Sequence, residues 1–355
     1  MPRTPPFPID AVYTWVDGHT PAFRASLAAT RAAWHEPVLP FSDEPHRFRD
    51  SGELRYSLRS LTANAPWVRD IYLVTNGELP AWLDTTAPRL HLVRHTDIIA
   101  PTNLPTFNSA AIEHSFRNIP GIAEHVISFN DDIFLARRSH PGHFFDRTGQ
   151  PIASATPLRR VDPRAPGTRR AYTVSLLSRE FGAQTWPDIP HQPIPYTGAI
   201  ARRVYETWPD EVDRTISHRF RHPDDVVFPV VVQHTAAMQR PLSGWRTRHQ
   251  LLDPRYRVAP TAALNLAMPG GELVKRTWPK LRWIEATRPR SFCINDSVYP
   301  GDDLGARVFA DAMRMLARMF PTPSRFELPG PPALRENPYP DPAATHTGPP
   351  TSTER

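Results

Sequence analysis

Four short clusters in this 355-residue chain hold side chains that could do chemistry. The first, Ser128-Phe129-Asn130-Asp131-Asp132-Ile133-Phe134, sets an acid pair directly behind an apolar run. Two carboxylates so placed can hold a divalent cation against a diphosphate, although adjacent acids at a strand end more often form a solvated turn or a helix cap. The second is Pro190-His191-Gln192-Pro193-Ile194-Pro195-Tyr196, where prolines restrict the backbone on both sides of a histidine. An imidazole with its ordinary pKa of about 6.5 can take a proton from an attacking hydroxyl at neutral pH; a surface histidine without a chemical task is the plainer reading. In the third, Ser217-His218-Arg219-Phe220-Arg221-His222-Pro223-Asp224-Asp225, an arginine could neutralise a transferring phosphate, or the cluster could be a basic helix end with acid partners. In the fourth, Ser291-Phe292-Cys293-Ile294-Asn295-Asp296-Ser297, Asn295 and Asp296 follow an apolar segment and could complete a metal or sugar site, or simply a turn.

Positioning such clusters requires elements, and apolar periodicity supplies an α/β pattern of short buried strands and helical stretches. The first strand is expected over Ile9–Val16, ending at the turn pair Asp17-Gly18. Helical spacing follows around Pro21–Trp34 and Gly52–Asn64, the second with Leu54, Leu58 and Leu61 on one face. Further strands are expected at Ile71–Thr75, which runs into Asn76-Gly77, at Leu90–Arg94, and at His125–Phe129 before the acid pair. Open α/β sheets bind ligands outside the carboxyl ends of their strands, so Asp17, Asn76 and Asp131 are expected to converge there. The charges of the segment from Arg47 to Ser60, Arg55 among them, read as a solvated helix face. Asn108 or Ser109 reads as a helix cap, with Glu113 on the first turns behind it. Arg159 to Arg170, rich in Arg and Pro, reads as an exposed loop, and the ten prolines in the last 35 residues mark a tail outside the fold.

Composition narrows the function. The net charge of +6 and pI near 9.7 leave a nucleic-acid partner open, but the basic residues are almost all arginine and lie scattered among acids. An arginine-rich cleft suits phosphate instead, because a guanidinium can donate two parallel hydrogen bonds to one anion. Cys293 is the only cysteine, which excludes an intrachain disulfide and any zinc site needing two thiolates. No apolar run approaches the roughly 20 residues of a membrane span, and the prolines of MPRTPPFPID do not suit a secretory leader, so a cytoplasmic location is expected. Phosphate-loop, dinucleotide-turn and H-E-x-x-H patterns are absent from the sequence.

The order of the clusters resembles that of the Stealth family of sugar-phosphate transferases, from about Ile9 to Ser297. The resemblant blocks are Ile9-Asp10-Ala11-Val12-Tyr13-Thr14-Trp15-Val16-Asp17-Gly18, then Arg47 through Glu53–Ser60, Val74–Gly77 and Leu104–Glu113 to Asn130-Asp131-Asp132, then His191 to His222, and last Phe292-Cys293-Ile294-Asn295-Asp296. The family includes bacterial capsule and exopolysaccharide phosphotransferases and the core of the animal enzyme that transfers N-acetylglucosamine-1-phosphate. The resemblance implies a Rossmann-like, GT-A-like nucleotide-sugar transferase core with a mixed sheet flanked by helices. One catalytic domain is expected over residues 1–325, with blocks near 9–18, 47–146, 186–235 and 290–300, and a Pro-rich tail over 326–355.

The expected reaction moves hexose-1-phosphate, such as N-acetylglucosamine-1-phosphate, from a UDP-sugar to a glycan hydroxyl with release of UMP. In that reading His191 is the base, Arg221 the phosphate clamp, and Asp132 with Asp131 or Asp296 the holder of Mg2+ or Mn2+. Asp10 is assigned to the site by resemblance alone. Asp17, Arg55, Asn76, Asn108, Glu113 and Asn295 are candidates for donor or acceptor contacts. The expected partners are a nucleotide sugar and a glycan, not nucleic acid, with peripheral association with polysaccharide-assembly machinery open. The rivals are a glycosyltransferase, which would release a nucleoside diphosphate, and a non-enzymatic arginine-rich binder.

Overall fold

The computed structural model describes residues 7–39, 42–164, 167–182, 186–239, 257–258, 261–265, 277–296, 298 and 302–330. Its strands are β1 (Ile9–Trp15), β2 (Ile71–Thr75), β3 (Leu90–Arg94), β4 (His125–Asn130), β5 (Ile133–Leu135), β6 (Ser154–Val161), β7 (Trp186–Asp188), β8 (Ile194–Thr197), β9 (Arg257–Val258), β10 (Thr261–Asn265) and β11 (Ser291–Asn295). The central sheet runs β3-β2-β1-β4-β8, parallel except for the edge strand β8, and helices flank it: the Rossmann-like α/β arrangement that the resemblance implies. Two three-stranded sheets, β10-β11-β5 and β7-β6-β9, extend it.

β1 is almost entirely buried, as a central strand covered on both faces must be. From β1 the chain crosses to β2 on one side and, after β3, returns to β4 on the other. The strand order therefore reverses between β1 and β4, and a crevice opens at their carboxyl ends. Helix starts are set by local chemistry. Thr20 caps helix Pro21–Ala33 by accepting from the Phe23 N–H, with proline at the first helical position; Thr168 caps helix Arg169–Phe181 by accepting from Ala171. Glu53–Asn64 starts from Gly52 at φ 93°, a left-handed turn that suits glycine.

Two expectations change. The segment from Arg159 to Arg170 is not a continuous loop: β6 runs to Val161 because Val161 pairs with Trp186 of β7, and a capped helix begins at Arg169. The apolar stretch Val226–Val232 largely enters helix Phe228–Met238, which is buried on nearly every face.

The tail does not begin at 326. Phe326 is fully buried in the core cluster with Leu83 and Leu90, its carbonyl accepts from the Asp84 N–H, and Leu328 N–H donates to the Trp82 carbonyl. Glu327 is clamped by Arg55 Nε (2.5 Å) and by Arg59 Nε and Nη2, each at 2.7 Å. Averaged composition hid one large apolar residue and one acid whose partners lie about 270 positions earlier. The rest of the expected tail, 331–355, lies outside the described residues.

Candidate active site

The crevice at the reversal point is a cleft of about 560 Å³. Thr14, Trp15 and Val16 at the end of β1 and Ser128, Asn130, Asp131 and Asp132 at the end of β4 form its floor. Hydrogen-bonded pairing brings the distant clusters to this point. β8 runs antiparallel to β4 with Ile194 opposite Ser128, so the proline-flanked loop before β8 sets His191 beside the acid pair. β11 pairs with β5 with Cys293 opposite Ile133, and the Ile294 N–H donates to the Asp132 carbonyl. That register places Cys293, Asn295 and Asp296 against the same turn. The loop carrying Arg221 is fastened to the other rim, since Leu39 N–H donates to the Arg221 carbonyl and Phe107 N–H to that of Arg219.

One wall is acidic. Glu53, Asp131, Asp132 and Asp296 line it, with buried Asp50 behind. Burial, then the charges of Asp132 and Asp50, push the Asp131 carboxyl well above its ordinary value; burial with Asp50 and Asp131 does the same to Glu53. Burial pushes Asp132 up to about 6, against a hydrogen bond from Cys293 Sγ to its Oδ2 at 3.2 Å. Asp132 Oδ1 is sealed from solvent and has no hydrogen-bond partner among the described residues. Crowded carboxyls with one orphaned oxygen are what a divalent cation would relieve, so Asp131 and Asp132 fit the expected ion. Asp296 is already engaged: Arg49 Nε donates to Oδ2 at 2.7 Å and the Val298 N–H to Oδ1 at 2.9 Å.

The opposite wall is basic, lined by Arg47, Arg169, Arg170 and Arg221. Burial, then Arg169 and Arg47, lower the proton affinity of Arg221 to about 9, which leaves it cationic at neutral pH. Its Nη2 donates to Ser109 Oγ at 3.4 Å, whereas Nε is buried and unsatisfied among the described residues. Arg170 is oriented by Asp188 Oδ1 at 2.6 Å and the Ile189 carbonyl at 2.8 Å. Glu113 lies under this wall; burial pushes its carboxyl up to about 7, partly offset by Arg169 and Arg221.

His191 stands between the walls. Desolvation, then Arg170, Arg221, Arg169 and Arg47, lower its pKa to about 4, so the ring is neutral at pH 7. His191 lines the cleft and is exposed to it.

Of the expected site residues, the cleft gathers His191, Arg221, Asp131, Asp132, Asp296, Glu113 and Asn295. It does not gather five others. Asp10 sits at the opposite, amino-terminal half of β1, fully buried, accepting from Arg69 Nε at 2.8 Å and Nη2 at 2.5 Å and from the Ala123 N–H at 2.7 Å. It ties β1 to the loops before β2 and β4. Arg55 points instead to Glu327, and Asn76 closes an exposed turn with Glu78. Asp17 folds onto His19 just beyond the floor. Asn108 caps helix Ser109–His114 and donates to Asp225 from beneath the rim. Glu53, Arg47, Arg169 and Arg170 were not picked out by sequence; the first two belong to a stretch that reads as a solvated helix face, the others to one that reads as a loop.

Comparison with known proteins identifies relatives along most of the chain. Models described as Stealth protein conserved regions 1, 2 and 3 match residues 7–33, 47–153 and 190–235. An exopolysaccharide phosphotransferase of Streptomyces coelicolor is 36% identical over 336 residues, covering 92% of this chain and 53% of its own length. A capsular polysaccharide phosphotransferase of Actinobacillus pleuropneumoniae is 31% identical over 227 residues, 62% of each chain. One from Haemophilus influenzae is 29% identical over 304 residues, 82% of this chain and 79% of its own. The chain spans about half the length of the Streptomyces relatives that it matches along nearly its whole length.

Proposed function

Since the chain belongs to the Stealth family, with three conserved regions matched in order, we propose that it is a sugar-phosphate transferase of surface polysaccharide synthesis. It moves hexose-1-phosphate, with N-acetylglucosamine-1-phosphate as the model case, from a UDP-sugar to a glycan hydroxyl and releases UMP. The observation that carries this reading is the two-walled cleft, with a carboxylate oxygen on one wall and a guanidinium nitrogen on the other that have no hydrogen-bond partner among the described residues. A diphosphate bridged to a cation needs both kinds of wall at once. A plain anion binder would leave the acid wall unexplained.

In this reaction the acceptor oxygen bonds to the sugar-bearing phosphorus while the bond from that phosphorus to the leaving nucleotide oxygen breaks, and the sugar carbon–oxygen bond stays intact. Arg221, oriented by Ser109 and backed by Arg169 and Arg170, holds the phosphoryl oxygens and offsets charge as it builds. His191 Nδ1 lies 3.9 Å from Cys293 Sγ, which in turn donates to Asp132. With Nδ1–H turned to the sulfur, Nε2 is the nitrogen that takes the acceptor's proton. Asp131 and Asp132 would hold magnesium or manganese, which when bound supplies neutralising charge beside the diphosphate.

Among the described residues no helix is long and apolar enough to cross a membrane. A cytoplasmic enzyme meeting its glycan acceptor at the assembly machinery is the setting we propose. Incubating the protein with a panel of nucleotide sugars, a divalent cation and glycan acceptors tests the reading. Nucleoside monophosphate should appear in step with a phosphodiester-linked product. Release of nucleoside diphosphate instead would make it a glycosyltransferase and end the proposal.

A further inference from the structure

Three side chains in the cleft form a set unlike the oxygen ligands that suit magnesium. Asp132, His191 and Cys293 bring a carboxylate oxygen, Nδ1 and Sγ to within 4.8 Å of one another, and they are the one such triad among the described residues. Sγ is 3.2 Å from Asp132 Oδ2 and 3.9 Å from His191 Nδ1. Around a tetrahedral zinc ion, bond lengths of about 2.3 Å to sulfur and about 2.0–2.1 Å to nitrogen or oxygen put sulfur about 3.5–3.6 Å from the other ligand atoms and nitrogen about 3.3–3.4 Å from oxygen. The two sulfur separations differ from these values by about 0.3–0.4 Å, and the carboxylate oxygen and Nδ1, within 4.8 Å of each other, would close by up to about 1.5 Å through side-chain rotation.

We propose that Asp132, His191 and Cys293 form a binding site for a soft or borderline divalent cation, zinc foremost, whose occupation switches the cleft off. The thiol proton that Sγ now donates to Oδ2 would leave to water, the imidazole proton would move from Nδ1 to Nε2, and the ion would be held by Sγ, Oδ2 and the freed Nδ1. The fourth position faces the cleft, because the His191 ring is open to it. Thiolate and imidazole favour zinc and cobalt, whereas magnesium and manganese prefer oxygen sets. Because Asp132 belongs to both sets, the two classes of ion exclude each other. A zinc ion here would also immobilise the ring assigned as base, so inhibition follows; that consequence rests on the proposed reaction, and the binding does not.

The test is titration of the metal-stripped full chain with cobalt(II), read by absorption. One equivalent should produce a near-ultraviolet thiolate-to-cobalt band together with the strong visible bands of a four-coordinate ion. Cys293 is the only cysteine, so the near-ultraviolet band can report no other residue. Zinc should abolish the bands stoichiometrically, whereas magnesium, which competes only through Asp132, should do so only at a large molar excess. Cys293→Ser should lose the near-ultraviolet band, and Asp132→Asn and His191→Gln should each weaken cobalt binding at least about tenfold, since losing even an outer-shell partner costs about 10–100-fold. Circular dichroism checks that each variant folds, and the two cleft-facing variants decide the matter if the serine variant does not. Absence of the band in the wild type, or unchanged affinity in folded variants, overturns the site. Cobalt binding as expected with no nucleotide-sugar turnover would sink the proposed reaction and leave the site standing. Transfer that persists under saturating zinc would remove the switch.

Discussion

His191 and its acidic neighbours make opposite demands on the pH–rate profile, and the structure separates them. If His191 is the general base, replacing it by Gln keeps a polar side chain but removes the proton acceptor, which should lower kcat by about 10²–10⁴ while donor affinity stays within a few-fold. An ordinary imidazole would also impose an acid limb near pH 6.5. Here desolvation and four arginines hold the ring near 4, so at pH 7 the neutral form exceeds the charged one about a thousandfold, three pH units above that value. Its limb therefore lies far below neutrality. The limb met first on acidification should come from the carboxyls: Glu113 held near 7 and Asp132 near 6. Protonating Asp132 removes a cation ligand, so added magnesium should shift that part of the limb to lower pH, because binding favours the ionised carboxylate. The assay is kcat/KM between pH 5 and 9 at two magnesium concentrations, for wild type and His191→Gln. The variant should run parallel to wild type at a much lower level. A limb near 6.5 that disappears in His191→Gln and ignores magnesium would refute the electrostatics; a variant that keeps kcat but loses donor binding would make His191 a ligand.

Arg221→Lys should fail to restore transfer and resemble Arg221→Ala, because an ammonium lacks the two-pronged contact of a guanidinium; normal kinetics in the lysine variant would show that only positive potential is needed. Asp10→Asn should act on stability, lowering Tm by loss of the charge-assisted bonds from Arg69, while kcat per folded molecule stays within a few-fold; a large fall in kcat at unchanged Tm would return Asp10 to the site. The clamped Glu327 carboxyl is held near 2 against an ordinary 4.5, chiefly by Arg59, Ser324 and Arg55 outweighing burial. A depressed carboxyl stabilises the fold above 4.5 and loses that contribution as pH falls toward 2; at about 1.4 kcal/mol per tenfold change in proton affinity this is roughly 3 kcal/mol. Glu327→Gln should cost a similar amount in urea unfolding at pH 7 and flatten the acid dependence over that window, and unchanged stability would show that the clamp is incidental.

Much of the core sheet is legible in the sequence. β2 and β3 fall on their expected bounds, and β1 and β4 within one residue, because short apolar runs closed by Asp-Gly, Asn-Gly or an acid pair state both a strand and its end. The acid pair, His191, Arg221 and Asp296 were also legible, since each is a chemically capable side chain in a backbone-restricted or strand-end setting. Segments that sequence read by composition fared worse. Arg169 and Arg170 lay in an Arg- and Pro-rich stretch that gives no sign of the Thr168 cap and the Asp188 contact that aim them inward.

The local chain specified which residues could act, through type, periodicity and turn chemistry that depend on near neighbours only. What it left open is direction over distance. Asp10 and Asp131 both adjoin adjacent parallel strands, yet one lies toward the amino end of β1 and the other beyond the carboxyl end of β4, and only the latter end opens at the reversal point. Arg55 and Glu53 are two residues apart on one helix, about 200° around its axis at 3.6 residues per turn, so one meets Glu327 and the other the cleft. Cys293 reaches Asp132 because β11 pairs with β5 in one register out of several that its apolar run would allow. Register and packing decided these partners, since the free energy that selects them comes from the assembled sheets and not from any segment alone.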